Sequence, residues 1–494
     1  MAYLGRTGLF VACFAATWLG AEFSVAQAPG VRPRPAPAVQ PVQPLRPSQP
    51  ARPDPIAAPP QSVGPTPRPP LSGPIDLPTA VGYAVANNPR IQAARYRARA
   101  LGARVPQARS LPDPQLTAAA FLEEIQTAAG PQEVALGLSQ KFPWFGKRAL
   151  RSRVAYHAAM AAYARATAVE LEVIEEVKLA YFDLWFLQAA TDETRRLEPR
   201  LKDVIGIAKT RYETNAPGAG LESVYQAQIE LSKLNVRLVE LGEARDRAEA
   251  RLVAVLHLPA QTRLQAAARP LDAQGVQTAE VLVGLVDACQ PELQAGRREI
   301  ERDRSSIRLA EREYWPDVTL GLNWYEMGDE GISPVANGRD AFSLGVGANL
   351  PIYRKRLDAA VREARYNTAS AARRYASARD RFQAEIRSLY AEFREHDRML
   401  EILRNQIVPK AADSLELSTE SYRTGRRSFQ QLIDVYRTLL NYRVDMHRHS
   451  AEREKAVASL ERAVGCSVLG GAEREADQRI DDPIGPIGPL PLPE

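Results

Sequence analysis

A sustained three-four spacing of apolar residues from position 168 to 256 constrains this chain more than any other feature. Val173, Val177, Ala180, Leu184 and Leu187 carry it first. Leu231, Leu234, Leu238, Leu241, Ala248, Leu252 and Val255 carry it again beyond a turn at 215–220, with Arg245 as the one interruption. A period near 3.5 residues winds helices around their neighbours along a narrow seam. At about 1.5 Å per residue, a nearly continuous helix from Lys147 to Tyr212 reaches roughly 95 Å, which no ordinary globular core needs. The pattern returns in altered form from about 384 to 464. This is the geometry of a tube wall or a long coiled scaffold.

The N-terminus reads as an export signal. Arg6 precedes the apolar run 9–19, and Ser24-Val25-Ala26 places small residues at a cleavage site, so a signal peptide over 1–26 is expected. Phe10-Val11-Ala12-Cys13 is a poor lipoprotein box, because apolar residues continue past Cys13. Beyond residue 26 no run approaches the roughly 20 apolar residues of a membrane-spanning helix. A mature chain that crosses a membrane must therefore do so as a β-barrel. Segment 27–74 holds nearly half of the 38 prolines and is expected to be an extended, disordered linker.

Folded structure is expected from Ile75, with Asp76 capping a helix that runs to about Ser110 and breaks at Asn88-Pro89. Two alternating segments follow, at about 115–122 and 133–142, and then the long helices begin. The same order then repeats. Gln290-Pro291 echoes Asn88-Pro89, Trp315-Pro316-Asp317 echoes Leu111-Pro112-Asp113, and Val408-Pro409 echoes Glu198-Pro199. The offset drifts only between about 202 and 211 residues, so one unit of helix, β-hairpin, long helix, turn and long helix is duplicated. The first repeat is placed at 75–258, an inter-repeat (equatorial) segment at 259–277, the second repeat at 278–466 and a disordered tail at 467–494.

The second repeat has the clearer strands, at about 317–326 and 341–350. Val318, Leu320, Leu322 and Trp324 alternate with Thr319, Gly321, Asn323 and Tyr325. Phe342, Leu344, Val346 and Ala348 alternate with Ser343, Gly345, Gly347 and Asn349. Each has the length a tilted strand needs to cross a bilayer; a soluble half-buried hairpin has the same pattern. Two hairpins supply four strands, which cannot close a barrel, since membrane barrels begin at about eight. If these strands enter lipid, several chains must each contribute four.

At this point the chain resembles the TolC-type outer-membrane efflux channel family over essentially all of 75–466. The match is carried by the junction Phe142-Pro143-Trp144-Phe145-Gly146-Lys147-Arg148, its partner Leu350-Pro351-Ile352-Tyr353-Arg354-Lys355-Arg356, and the two helix turns. The resemblance implies a mainly α fold with a small β part. Duplicated long α-helical hairpins and two β-hairpins would form, by trimerisation, a twelve-stranded transmembrane β-barrel and a twelve-helix periplasmic α-barrel. It also implies a location in the outer membrane of a Gram-negative bacterium and contact with outer-membrane lipid. The implied partners are other copies in a homotrimer, a periplasmic adaptor (membrane fusion protein) and an inner-membrane pump. Together with Ala216-Pro217 and Ala227-Gln228-Ile229-Glu230-Leu231, the Pro143–Arg148 motif looks most like the heavy-metal efflux branch, CzcC- or CusC-like. That branch implies a pump of the RND type and a cargo of heavy-metal ions or drugs.

The second turn reads Tyr422-Arg423-Thr424-Gly425-Arg426-Arg427-Ser428-Phe429-Gln430-Gln431. Gly425 suits a left-handed helix end, and Ser428 with Gln431 forms a capping box. A tight surface turn accounts for all of it. The resemblance adds a second reading, in which Tyr422, Arg427 and Asp434 fall on the periplasmic gate positions and Gln431 stands where a first acid is usual. The first turn, with Asn215, Pro217, Gly220, Glu222 and Ser223, is the corresponding adaptor-docking tip.

Other chemistry is absent from the pattern. His447 and His449 lie two apart on a helix, on different faces. His396 occupies a seam position. No zincin, phosphate-loop or nucleophile motif occurs, so no enzyme activity, cofactor or metal site is expected. Of the three cysteines, Cys289 and Cys466 leave a disulfide open. The net charge of +5 is weak, and basic residues alternate with acids along helices, which gives no support to nucleic-acid binding. Two other readings remain at this stage: the outer-membrane duct of a type I protein secretion system, and a periplasmic coiled-coil scaffold or adaptor.

Overall fold

The computed structural model describes residues 71–267 and 275–469. The expected signal peptide with Cys13, nearly all of the proline-rich segment and the tail beyond 469 lie outside the described residues. The first repeat comprises β1 (Gly73–Ile75), α1 (Leu77–Asn87), α2 (Pro89–Gly102), α3 (Arg104–Arg109), β2 (Gln115–Thr127), β3 (Gly130–Phe142), α4 (Lys147–Glu213) and α5 (Leu221–Val255). After β4 (Leu264–Ala266), the second comprises α6 (Ala279–Cys289), α7 (Pro291–Arg312), β5 (Val318–Met327), β6 (Ala341–Ala348), α8 (Arg354–Ile402), a π-helical turn (Leu403–Ile407), α9 (Val408–Arg423) and α10 (Phe429–Val464).

Local chemistry explains the breaks. Asp76 Oδ1 accepts the Thr79 amide at 3.0 Å to start α1, and Asn88 Oδ1 accepts the Arg90 amide at 2.8 Å to start α2. The helix expected up to Ser110 breaks a second time, at Ala103. Helix α4 runs 67 residues, about 100 Å, straight through Pro199. Its counterpart in the second repeat does not. Pro409 follows the π-helical turn, which widens the backbone where the proline ring would crowd the preceding carbonyls. The helix cores form three clusters, of which one holds Val173, Val177, Leu184 and Leu252 from the opening seam.

The four long strands form one antiparallel sheet in the order β2-β3-β5-β6. The registers place Leu116, Leu138, Leu322 and Leu344 in a single row across all four strands. All four are more than half exposed. The neighbouring row on the other face is Thr117, Gly137, Asn323 and Ser343. A Cβ at Gly137 would sit 2.6 Å from Thr117 Oγ1 and 2.7 Å from Asn323 Oδ1, so both side chains would have to shift to admit one. The sheet thus has one apolar face and one small, polar face, the pattern of a barrel strand in lipid.

Several expectations need correction. β2 continues to Thr127, past the expected end at 122, through an irregularity between Ala120 and Ile125, and β3 starts at Gly130. β6 ends at Ala348 because Asn349 turns its side chain onto the Asp317 amide. Gly73 and Pro74, expected in the linker, form β1, which pairs in parallel with β4 inside the inter-repeat segment. The Tyr181 hydroxyl fastens this small sheet by donating to the Ala267 and Ile75 carbonyls, at 2.8 and 3.2 Å. Burial, aided by the Asp76 charge, pushes that phenol up to about 12. The tail expected from 467 remains ordered to Leu469, which bridges Val276, and Val468 is fully buried. Cys289 and Cys466 form a disulfide that ties the end of α10 to the α6–α7 corner.

The strand–helix junction is organised by Lys147, which is completely buried. Its Nζ donates to Asp317 Oδ1 at 2.8 Å, the Trp315 carbonyl at 2.9 Å and Glu313 Oε2 at 3.1 Å. Trp144 stacks on Trp315 at 5.2 Å, and its amide donates to Asp317 Oδ1. Burial raises the pKa of the Asp317 carboxyl, but the hydrogen bonds from Lys147, Trp144 and Lys141 outweigh it and hold the group below its usual value. This cluster joins the two repeats where β3 passes into α4 and α7 passes into β5.

Farther along α4, Glu193 reaches α10. The His447 ring, with Nε2 3.7 Å from Glu193 Oε1, lowers its pKa against the pull of burial, and Arg196 and Arg443 add to the effect. A depressed carboxylate stabilises the fold above its unfolded pKa and loses that contribution as pH falls through the folded one. Glu193→Gln is therefore expected to lower the Tm at neutral pH. The gap to the parent protein should close as pH drops below the ordinary value of 4.5. Thermal melts across that range in detergent test this, and a gap independent of pH would count against it.

Candidate functional site

The far ends of the long hairpins meet at a tip built from both repeats. In the first turn, Asn215 takes a left-handed conformation (φ 51°), as does Gly218. Gly220 caps α5, where Glu222 supplies an acid in the first turn and accepts from Gln226 at 2.8 Å. In the second turn, Gly425 is left-handed (φ 77°), and the expected capping box is formed: Ser428 Oγ accepts the Gln431 amide, and Gln431 Oε1 accepts the Ser428 amide. The Gln431 side chain is thereby used in the cap.

The residues expected at a gate are not brought together within one chain. Tyr422 is only 2 % exposed, edge-on to Phe429 in the core of the helical hairpin. Burial raises its pKa. Arg427 donates to Ser418 on its own hairpin. Asp434 accepts from Gln430 at 3.1 Å and lies 3.5 Å from Arg437. It remains mostly exposed.

What links the two turns is Arg211, near the end of α4. Its guanidinium lies 4.7 Å from the centre of the Tyr422 ring, donates to the Tyr422 carbonyl, and donates to the Pro217 carbonyl at 2.8 Å. One cation thus pins both turns. A second link, Arg437 to Glu230, ties α10 to α5 just above. Neither arginine is apparent as a site from spacing. The available signal was the match between Arg211-Tyr212 and Ser421-Tyr422 in the two repeats. An open groove beside the tip, between α4 and α9, is lined by Asp203, Glu416 and Glu420 with Arg200, Arg211 and Arg423.

The histidines divide as their spacing predicts. His449 lies against His396, with their Nδ1 atoms 3.1 Å apart, while His447 faces Glu193 and Trp185. Among the described residues, no group of three or more His, Cys, Asp or Glu is placed to hold a metal ion, and no helix is long and apolar enough to cross a membrane.

The family model for outer membrane efflux proteins matches residues 80–256 and 282–466, one segment per repeat. The chain belongs to the outer membrane efflux protein family. It is therefore an outer-membrane efflux channel. Members of this family are channels rather than enzymes, form trimers and work with an adaptor and an inner-membrane pump. Among relatives, the cobalt-zinc-cadmium resistance protein CzcC of Cupriavidus metallidurans is 21 % identical over 403 residues, covering 80 % of this chain and 91 % of that one. The crystal structure of the outer membrane protein VceC of Vibrio cholerae shares the fold with a TM-score of 0.63 and 19 % identity, over 79 % of this chain and 96 % of that one. CusC, whose structures concern transmembrane channel formation, gives 0.64 and 15 %, over 79 % and 92 %.

Proposed function

We propose that three copies of this chain form a passive duct that carries heavy-metal ions or other small solutes out of the cell, handed on by an RND-type pump and a periplasmic adaptor. The observation that carries this reading is the four-stranded sheet with its leucine row on one face, its polar row on the other and both edges open, continuing into a helix of about 100 Å. The likeness to a cobalt-zinc-cadmium resistance protein supports the choice of cargo. The deciding experiment deletes the gene and measures growth on cobalt, zinc, cadmium and several antibiotics. Restoration of metal tolerance by the plasmid-borne gene is the expected result, and unchanged tolerance in the deletion strain would remove the metal cargo.

In this reading the tip is the periplasmic entrance. Asn215, Pro217, Gly220, Glu222 and Ser223 dock the adaptor, and exposed Asp434 contributes one carboxylate per chain to a ring that favours cations. Tyr422 and Gln431 act as struts of the turn, and Arg427 braces it through Ser418. Asp434→Ala is expected to lower cation preference and raise conductance in planar bilayers. Arg427→Ala is expected to raise conductance modestly, because its bond lies within one hairpin. Unchanged conductance in both would withdraw the gate from these residues.

A further inference from the structure

Two of the chain's histidines meet across different helices, which spacing along either helix alone does not show. Helix α8 packs along α10, and His396 of the first faces His449 of the second. Their Nδ1 atoms are 3.1 Å apart, their ring centres are 5.2 Å apart, and the pair is partly buried. Two neutral imidazoles hold this geometry by sharing one proton, with one Nδ1–H donating to the other Nδ1.

The same separation is the bite of two nitrogens on one metal ion. With metal–nitrogen bonds of about 2.0–2.1 Å, nitrogens at this distance subtend roughly 95–102° at the ion, between the octahedral and tetrahedral angles. An ion there replaces the shared proton, and the rings turn until both lone pairs meet at one point. The surroundings suit a cation. Asp445 on α10 and Glu395 on α8 both act on His449 as negative charges. Arg448 opposes them but is itself paired with Asp445 at 3.1 Å, which leaves one carboxylate in excess. Burial, and then the charge of the facing His396, lower the pKa of His449, so near neutral pH its ring offers a lone pair.

We propose that His396 and His449 bind one divalent transition-metal ion, of the zinc or cobalt type, which clips α8 to α10. Imidazole nitrogen suits such ions, whereas calcium and magnesium take oxygen ligands. No third His, Cys, Asp or Glu among the described residues completes the set, so water fills the remaining positions. Such a site takes up and releases its ion, unlike a closed structural centre with four protein ligands. The clip lies about 30 Å along α10 from the start of that helix at the tip, beside the Arg453–Asp397 pair at 3.3 Å. It does not depend on what the duct carries, since an ion reaches this partly buried pair from the surrounding solution.

The test uses the full-length protein in detergent, purified without a histidine tag and stripped with a chelator. Calorimetric titration with zinc chloride is expected to show one ion per chain, and the zinc-loaded protein should melt a few degrees above the stripped one. His396→Asn and His449→Asn should each weaken zinc binding at least about 10-fold, since even an outer-shell partner of a metal ligand contributes that much. Both variants should also lose the thermal shift. His447→Asn, whose ring faces Glu193 instead, should bind zinc as the parent does. Binding should weaken as pH falls through the ordinary histidine value of 6.5, because protons compete for the same nitrogens. Should a variant fail to fold, footprinting of the parent protein with diethyl pyrocarbonate decides the matter. Zinc is then expected to shield His396 and His449 and to leave His447 unchanged. Equal zinc affinity in the parent and both variants, or shielding of neither ring, would overturn the site. Equal binding of magnesium chloride would also overturn it, because the carboxylates alone would then account for the affinity. Binding lost in both variants but without any thermal shift in the parent would overturn the clip.

Discussion

Replacing Lys147 by alanine is expected to destabilise the protein by about 3–5 kcal/mol, the loss typical when one partner of a buried ion pair is removed. Lys147 has no exposed surface, and its three acceptors belong to the α7–β5 corner: Asp317, the Trp315 carbonyl and Glu313. Asp317 is itself 4 % exposed. Without Lys147 it would keep only Lys141, at 3.2 Å, and the Trp144 amide at 3.0 Å. Desolvation of that carboxylate then goes largely uncompensated. Lys147→Met separates charge from packing, because it retains most of the stem and should lose nearly as much. Lys147→Met combined with Asp317→Asn should recover part of the loss, since the second change removes the stranded charge. Urea titration in detergent, followed by circular dichroism, measures each step. Additive losses in the double variant would contradict the coupling.

The long-range plan of the molecule was readable because it rests on periodicity. The seam of Val173, Val177 and Leu184 marked α4, and the alternation of Leu320, Leu322 and Trp324 marked β5. Proline positions tied the two repeats together. Features that depend on single contacts between distant segments could not be read. β1 and β4 have three residues each and no alternation to detect, and they exist because Tyr181 and the parallel partner hold them. The π-helical turn before Pro409 is a local accommodation with no composition of its own, and Pro199 needs no such turn. β2 was underestimated because Glu123 and an irregular register interrupt its alternation after Ala120.

The tip follows the same division. Gly425, Ser428 and Gln431 were legible because turn and cap chemistry is local. Tyr422 was placed at the gate by resemblance alone, and that could not reveal that its ring is buried beneath a cation from the other repeat. The organising residue, Arg211, had no local signal of its importance.

Arg211→Ala should accordingly open the entrance more than any substitution at Tyr422, Arg427 or Asp434. Arg211 is 7 % exposed, and its guanidinium satisfies the carbonyls of Tyr422 and Pro217 and lies on the Tyr422 ring. Hydrogen bonds from a charged donor contribute about 1.5–3 kcal/mol each. Loss of even one such bond corresponds to a shift of roughly 10–100-fold in the balance between joined and separated turns. The α9–α10 hairpin would then keep its polar ties to α5 farther from the turns, Arg437 to Glu230 and Arg237 to Asn441, together with the shared apolar core. Single-channel recordings should show higher conductance and longer open dwell times for Arg211→Ala. Arg211→Lys should fall between, because an ammonium keeps the charge but cannot span two carbonyls in the same fork. A purely structural role predicts a different pattern, with lower trimer yield and unaltered conductance in the channels that form. Tyr422→Phe keeps the ring under Arg211 and removes only the hydroxyl, so its conductance should stay near that of the parent.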